Sequence, residues 1–518
     1  MVIYFVVVLA VGFSYAKRSN SSTDEYFIGG RKVGPWFTAL SAEASDMSGY
    51  LLMGIPGLAY FFGASEAMWT CIGLAIGTYL NWLFVAKRLR QYSERVHAIT
   101  IPAFFSNRFH DKKNILSTVA AVIILLFFCV YTGSCFVTCG KLFHTLFGID
   151  YAVMMIFGAV VVFAYTLVGG YLSVVATDFI QGCLMFFALA VVLIGSIASV
   201  GGVDTTVAFL QSIPGFLNGG QLTTPIIDAN TGLQAVEGDQ PLFGEATDFG
   251  ILTIISTLAW GLGYFGMPQV LVRFLGIRSA EEVRQSRIIA VVWVVISMVC
   301  ALCIGFIGRA MLPTYFGTNA AAENIFIVIA QMILPAFMCG VVVSGILAAS
   351  MSSASSYLLI TGSSVAENIF RGIIKRDATD RQVMIVSRIT LAVVMIIGII
   401  IALDENSVIF RVVSYAWAGL GASFGPLVLC SLYWRRTNLP GALAGMLGGA
   451  ITVVVWHNFI KPLGGVFGIY ELLPAFIISL VCIFVVSKLT AEPSQEIYDE
   501  FDHYTEARMD EDVNPAAA

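Results

Sequence analysis

Apolar stretches long enough to cross a lipid bilayer recur along this sequence from one end to the other. Only 12% of the 518 residues are charged and 58% are hydrophobic. This composition has too few polar residues to cover the surface of a water-soluble protein of this length. The stretches are continuous, whereas the strands of a membrane barrel would alternate apolar and polar residues. The sequence therefore predicts an all-α polytopic membrane protein.

The apolar stretches define thirteen predicted spans, which we number in chain order. They lie near residues 1–16, 36–60, 66–86, 115–140, 150–170, 178–200, 250–272, 288–311, 326–364, 386–404, 409–433, 440–460 and 468–488. Span 9 is too long for one crossing, so we expect an amphipathic stretch ahead of its membrane helix. The polar segment 201–249 is predicted to be an external loop, and the acidic end 491–518 a solvated, partly disordered cytoplasmic tail without chemistry.

Lysine and arginine predict the orientation of the spans, because these residues accumulate on the cytoplasmic side. With the N-terminus outside and the spans alternating, all but four of the 28 lie in inside segments, Arg273 and Arg508 among them. The four exceptions are Lys141, Arg309, Arg411 and Lys461. Lys17 and Arg18 follow span 1, which favours an uncleaved helix over a signal peptide. We expect a multi-pass protein of the cell (cytoplasmic) membrane with its C-terminus in the cytoplasm.

Two spans contain clusters of glycine and proline that a straight membrane helix does not need. Span 2 contains SAEASDMSGYLLMGIPGLAYFFG (41–63), and span 7 contains STLAWGLGYFGMPQV (256–270). Small residues can serve close helix packing, but beside Asp46 and Ser48 they indicate unwound backbone, which is tolerated at membrane depth where it lines a cavity. The breaks lie five spans apart and so in opposite orientation, which predicts a transporter with spans 2–6 and 7–11 as inverted repeats.

Span 9 contains a run of hydroxyl side chains, because five of the seven residues from Ser350 to Ser356 are serines. One interpretation is helix–helix packing through small residues. The other is a cation site, because hydroxyls and carbonyls are hard oxygen ligands. Ala349, Ser352 and Ser353 stand at positions i, i+3 and i+4 and share a helical face. Together with carbonyls of the break in span 2, this face could hold Na⁺.

Four segments of the sequence closely resemble the sodium/solute symporter family, from about Tyr26 to the end of span 13. They read SAEASDMSGYLLMG, AWGLGYFGMP, LAASMSSASS and VVSYAWAGLGASFGP. The resemblance implies inward solute transport with Na⁺ by alternating access, on a leucine-transporter-like core of two inverted five-helix repeats. This core is predicted over 36–434. Span 1 (1–16) precedes the core as a separate transmembrane helix, and 440–490 form two peripheral helices after it. The chain is then a transporter without a cofactor, and Na⁺ is its coupling ion.

The resemblance also implies which residues act on sodium. The Na⁺ ligands are the backbone oxygens of Ala44, Met47 and Ala349 and the hydroxyls of Ser352 and Ser353. Asp46 matches an acidic residue needed for Na⁺ coupling, and Asp178 one near the inner Na⁺ exit. Arg31 matches a cytoplasmic-side arginine important for function, with a positive-inside anchor as the alternative. Glu43, where relatives often have Gly or Ala, either faces the cytoplasmic water path or adds charge near the ion site.

For the solute, the motifs are most similar to those of family members that import L-proline, and the implied binding residues are Tyr131, Trp260, Tyr264 and Pro268. The last three recur every four residues, on one face provided that the α-helix continues, and a pyrrolidine ring stacks well on aromatic rings. The alternative is that these aromatics pack the core. Met267 stands where proline-transporting relatives carry Gln, so another amino acid, pantothenate, a sugar or sialic acid stays open as the solute.

Other classes of function find less support in the sequence. A membrane sensor would need a signalling domain, for which the segment 491–518 is too short, and a passive channel would not need paired breaks. We find no catalytic motif, no basic patch for nucleic acid and no sign of an obligate protein partner. The ten cysteines lie mostly in apolar stretches, and we interpret the CxxC of Cys300 and Cys303 as buried packing residues.

Overall fold

The computed structural model describes residues 1–15, 21–231, 233–238 and 240–502, without the side chain of Val168. The orientation arguments based on Lys17, Arg18 and Arg508, and the tail beyond residue 502, lie outside these residues. Every predicted span is occupied by a helix or a pair of helices. In chain order they are Val2–Ser14, Pro35–Asp46 with Tyr50–Phe62, Ala64–Arg95, Ile115–Phe147, Tyr151–Leu167, Gly169–Ser199, Ile251–Gly266 with Pro268–Gly276, Val283–Met311, Ala336–Ile374, Asp380–Ile401, Ile409–Tyr433, Leu439–Leu463 and Leu472–Leu489.

Within the described residues, nine of these helices are long and apolar enough to cross a membrane, and the bent pair of span 7 makes a tenth. The helices of spans 1, 2 and 5 are apolar but shorter, so a count of thirteen crossings stays a prediction. Spans 9 and 11 are mostly buried inside the protein, whereas in spans 10, 12 and 13 at most 33% of the most apolar window is buried. The former therefore build the centre and the latter the lipid-facing rim.

The remaining elements are short and lie between the spans. The helices are Thr23–Ile28, Ile101–Arg108, Val203–Gln211, Asn319–Ala322 and Ile325–Ile333. Two antiparallel strand pairs lie in the segment 201–249, namely Gln221–Leu222 with Thr247–Asp248, and Val236–Glu237 with Gln240–Pro241. The helix Ile325–Ile333 ends at Leu334, whose backbone is extended, because a residue before proline avoids the α conformation. The long predicted span 9 therefore divides at Pro335 into a short, largely buried helix and the long one.

The segment 201–249 packs closely on the ends of two spans at the predicted outer face. Phe216 accepts a hydrogen bond from Ala64 N at 2.8 Å, and the Gly219 carbonyl accepts one from the Trp69 indole at 2.7 Å. Arg309, at the end of span 8, donates to the Gln234 side chain at 2.9 Å. The predicted external loop is therefore fixed by hydrogen bonds to spans 3 and 8.

The expectation of a solvated tail is wrong for the part of it that the structure describes. Ile497, Tyr498 and Phe501 are buried, and they recur at i, i+1 and i+4, on one face of the helical turn. Glu500 pairs with His110 at 3.0 Å and Asp502 with Arg435 at 3.0 Å. Apolar burial and ion pairs together fasten this segment to the predicted inner face, which acidic composition alone did not indicate.

Candidate sodium and solute site

The helix of span 2 is broken directly after Asp46. The helix Pro35–Asp46 ends at Met47, whose backbone leaves the helical conformation (φ −78°, ψ 76°), and the chain resumes in a widened turn at Tyr50–Gly54. A Cβ atom at Gly49 would lie 2.1 Å from the hydroxyl of Thr138 in span 4. Glycine is therefore required here by close packing, and the predicted break is confirmed at residues 47–49. Pro56 is the second residue of the next helical segment, Ile55–Phe62.

Span 7 is deformed over the predicted stretch. Ala259–Gly266 form a 3₁₀ helix, Met267 is extended, and Pro268 opens the next helix at a bend of 41°. A 3₁₀ helix has three residues per turn, so Trp260 and Tyr264 do not share the face that an α-helix would give them. The α-helix on which a common face of Trp260, Tyr264 and Pro268 depended therefore does not continue through this segment.

The glycines of span 7 also allow very close helix packing, as the alternative interpretation expected. A Cβ atom at Gly261 would lie 2.2 Å from the carbonyl oxygen of Gly73 in span 3. At Gly263 it would lie 1.9 Å from the indole nitrogen of Trp417 in span 11. Small residues therefore hold spans 3 and 11 against the deformed segment, and packing and deformation occur together.

The two breaks meet at the carboxylate of Asp46, which is fully buried. Tyr264 donates its hydroxyl proton to Asp46 Oδ2 at 2.8 Å, and Gln269 donates its amide to Oδ1 at 3.1 Å. Both oxygens of the carboxylate thus receive a strong hydrogen bond. Asp46 therefore ties span 2 to span 7 on both sides of the bend. Gln269, which stands directly after Pro268 in the quoted motif, was not anticipated.

Three of the five predicted sodium ligands are in direct contact. The hydroxyl of Ser352 donates to the carbonyl oxygen of Ala44 at 2.7 Å and lies 3.1 Å from that of Ala349. Met47 lies at the break itself, and the buried hydroxyl of Ser353 has no hydrogen-bond partner among the described residues. Span 9 and the break in span 2 thus bring together carbonyl and hydroxyl oxygens, the ligands that suit a hard cation.

A buried ion pair lies one helical turn beyond Gln269. Arg273 and Asp178 are in contact at 2.9 Å, with both side chains at most 1% exposed. Arg273 also donates to Ser41 at 3.0 Å and to Ser356 at 2.6 Å. This network connects spans 2, 6, 7 and 9. The assignment of Arg273 to an inside loop is wrong, because a buried carboxylate lets the arginine stay within the protein.

Loss of this ion pair is expected to destabilise the fold strongly. Asp178→Asn leaves the Arg273 guanidinium buried without a counter-ion, which costs about 3–5 kcal/mol in free energy of unfolding. Unfolding of the purified protein in detergent measures the loss. Glu282→Gln, which breaks the more exposed pair with Arg278, is the control and should cost less than about 1 kcal/mol. Equal stability of the two variants would contradict the assignment.

Arg31 lies at the start of span 2 and is held by protein groups. It donates to the Leu275 carbonyl at 2.8 Å and to the Ala98 carbonyl at 2.7 Å, and it contacts Ser93. Burial lowers the pKa of its guanidinium to about 10. The geometry fits a clamp between the predicted inner ends of spans 2, 3 and 7 better than a positive-inside anchor.

The aromatic side chains predicted for the solute fall into two groups. Trp260 stacks on Tyr470 with ring centroids 5.2 Å apart, and Tyr264 packs edge-on against Trp417 at 5.0 Å. Tyr131 instead packs against Tyr357 of span 9 at 4.3 Å. Pro268, also buried, opens the helix after the bend. Trp417 and Tyr357 were missed, although Trp417 lies inside the motif VVSYAWAGLGASFGP and Tyr357 directly follows the run of serines in span 9.

Glu43 is buried beside the break and is 1% exposed. Its Oε1 accepts a hydrogen bond from the indole of Trp82 at 3.1 Å, and its Oε2 has no partner among the described residues. Of the two predicted roles, a position close to the ion site agrees with the structure, because the side chain is closed off from water.

Comparison with known proteins gives matches over nearly the whole chain. The sodium:solute symporter family matches residues 26–449. The sodium/proline symporters of Staphylococcus aureus strains JH9 and NCTC 8325 / PS 47 are 40% identical to this chain over 498 residues, which cover 95% of this chain and 92% of each relative.

Solved structures agree in fold. A Na⁺-coupled sialic acid symporter in a substrate-bound outward-open state has a TM-score of 0.74 at 20% identity, over 95% of this chain and 97% of that one. Mhp1, a nucleobase-cation-symport-1 family transporter in a closed conformation, has a TM-score of 0.53 at 13% identity, over 92% and 98%. The predicted leucine-transporter-like fold is therefore confirmed.

Proposed function

Because the chain belongs to the sodium:solute symporter family and is a Na⁺-coupled symporter of the membrane, not an enzyme, we propose that its solute is L-proline. The proposal is supported by relatives named sodium/proline symporters at 40% identity over 95% of the chain. The observation that carries it is the meeting of both helix breaks at Asp46, beside the contact of Ser352 with Ala44. A small solute and Na⁺ would share this junction.

The proposed chemistry uses the groups that surround the junction. The carbonyls of Ala44, Met47 and Ala349 and the hydroxyls of Ser352 and Ser353 would bind Na⁺. The pyrrolidine ring of proline would lie against Trp260, Tyr264 and Pro268, because a compact apolar ring packs well on aromatic faces. Tyr131 would contact the solute from span 4.

The proposed cycle is alternating access. Na⁺ binds first between spans 2 and 9 and stabilises an outward-open state, in which the solute then binds. The repeats next rock to open inward, and we propose one Na⁺ per solute. An inward-negative potential favours the entry of each positive charge by about 2.3 kcal/mol per 100 mV. Asp178 and Arg31 lie towards the predicted inner side, in positions to influence Na⁺ release.

We also propose the orientation that the positive residues predict, with the N-terminus outside, the segment 201–249 outside and the C-terminal segment in the cytoplasm of the cell. Arg273 no longer counts towards this prediction, because it is buried. Single cysteines introduced at Asn230 and Asp499 test the orientation in intact cells. An impermeant thiol reagent should label the first variant and not the second, and the reverse labelling would overturn it.

The test of the function is uptake of labelled L-proline into proteoliposomes with an inward Na⁺ gradient, compared with matched K⁺. Accumulation above equilibrium only with Na⁺ is the expected result. If folded protein gives no such uptake, proline is the wrong solute, and other amino acids, pantothenate, sugars and sialic acid are tested in the same vesicles. If no solute depends on Na⁺, coupling itself is contradicted.

A further inference from the structure

Three hydroxyl groups beside the helix breaks are buried without any hydrogen-bond partner among the described residues. They belong to Ser48 in the break of span 2, Tyr131 in span 4 and Tyr357 in span 9. Ser48 is 1% exposed and the two tyrosines are fully buried. Buried polar groups are nearly always paired, because an unpaired one forfeits its hydrogen bonds to water. Three unpaired hydroxyls close together therefore indicate a ligand.

The three groups converge on one place. The rings of Tyr131 and Tyr357 lie 4.3 Å apart between centroids. The hydroxyl of Tyr131 lies near those of Tyr357 and Ser48, but none of the three has a partner at hydrogen-bonding geometry among the described residues. Tyr357 stands one helical turn after Ser353, and Ser48 stands two residues after Asp46. The recess formed by these hydroxyls thus adjoins both the candidate Na⁺ ligands and the junction at Asp46.

Three other buried tyrosines of this protein satisfy their hydroxyls with backbone oxygens. Tyr165 donates to the Met351 carbonyl at 2.7 Å, and Tyr151 donates to the Ala402 carbonyl at 2.7 Å. Tyr60 donates to the Leu312 carbonyl in the same way. The fold can therefore supply backbone partners to buried tyrosines, and Tyr131 and Tyr357 have none in the described part of the chain.

We propose that Tyr357, together with Tyr131 and Ser48, binds the carboxylate of the transported solute, and that Tyr357 makes the transporter selective for solutes that carry one. A carboxylate accepts hydrogen bonds only, so it matches three hydroxyl donors at once. Bound Na⁺ would lie nearby and compensate the negative charge. The inference rests on the proposed function and adds a specificity-determining residue in span 9, outside the residues predicted from the family.

The test compares Tyr357→Phe with the wild type in proteoliposomes. The readouts are the KM and maximal rate for Na⁺-driven L-proline uptake, and its inhibition by L-prolinamide, which keeps the ring and the amine but lacks the carboxylate. Tyr357→Phe should raise the KM about tenfold while the inhibition constant of prolinamide stays nearly constant. The preference for proline over prolinamide then falls about tenfold. Tyr131→Phe should act in the same direction.

Tyr151→Phe is the matched control, because it removes a buried tyrosine hydroxyl whose partner is a backbone carbonyl away from the recess. It should leave the preference for the carboxylate unchanged. A wild-type KM in Tyr357→Phe, or an equal loss of affinity for proline and prolinamide, would overturn the proposal. If the wild type transports a solute other than proline, the same comparison uses that solute and its amide, and a transported solute without a carboxylate also overturns it.

Discussion

Asp46→Asn should reduce Na⁺-driven solute uptake by at least 100-fold. The carboxylate accepts one hydrogen bond from Tyr264 and one from Gln269, and it joins the two broken spans at the candidate site. Asparagine keeps the shape of the side chain but removes its charge. Its NH₂ group is a donor and would replace one of the two acceptor oxygens, so it would point at the donor of Tyr264 or Gln269. A loss of 100-fold corresponds to about 2.7 kcal/mol, which is within the range for the loss of one hydrogen bond to a charged group.

The measurement is the initial rate of uptake at saturating Na⁺ in proteoliposomes that contain equal amounts of folded protein. Asp204→Asn is the control, because Asp204 is an exposed acidic residue in the short helix Val203–Gln211. It should transport at the wild-type rate. Uptake by Asp46→Asn within a few-fold of that control would show that the junction does not depend on the charge.

Ser352→Ala should raise the Na⁺ concentration for half-maximal uptake by about 10- to 100-fold, or about 1.4–2.7 kcal/mol in binding free energy. The Ser352 hydroxyl lies within 3.1 Å of the carbonyls of Ala44 and Ala349, so its removal takes away one oxygen ligand and the bridge between spans 2 and 9. The maximal rate should fall much less, because excess Na⁺ can still fill the weakened site.

Ser363→Ala provides a matched control for Ser352→Ala. Ser363 is buried in the same helix, and its hydroxyl bonds to the carbonyl of Ile360 within that helix. The control should leave the Na⁺ dependence unchanged. An equal shift in both variants would indicate a general effect of losing a buried serine in span 9, and an unchanged half-saturation in Ser352→Ala would remove this residue from the Na⁺ site.

Much of the site could be located from the sequence because the signals are local. Glycine and proline clusters disrupt helices wherever they occur, so the breaks at 47–49 and 259–267 followed from the residues themselves. The run of serines in span 9 was equally visible. Motif resemblance added Ala44, Ala349 and Ser352, and the structure brings these three into contact.

Residues whose role depends on distant partners could not be predicted. Gln269 was missed and the bond of Tyr264 to Asp46 was not foreseen, because both residues lie more than 200 positions from Asp46 in the chain. Arg273 was assigned to a loop because its contact with Asp178 is visible only in the structure. The helical period also misled, because the 3₁₀ conformation of Ala259–Gly266 changed the face on which Trp260 and Tyr264 lie.

The sequence by itself determined that this protein is helical and built for a membrane, since continuous apolar stretches must satisfy their backbone groups internally. It also determined where those helices break. Only the tertiary structure decided which polar groups meet within the protein, how the segment up to Asp502 packs against its surface, and which buried hydroxyls stay unpaired. The physical reason is that helix formation depends on neighbours in the chain, whereas burial and hydrogen bonding depend on neighbours in space.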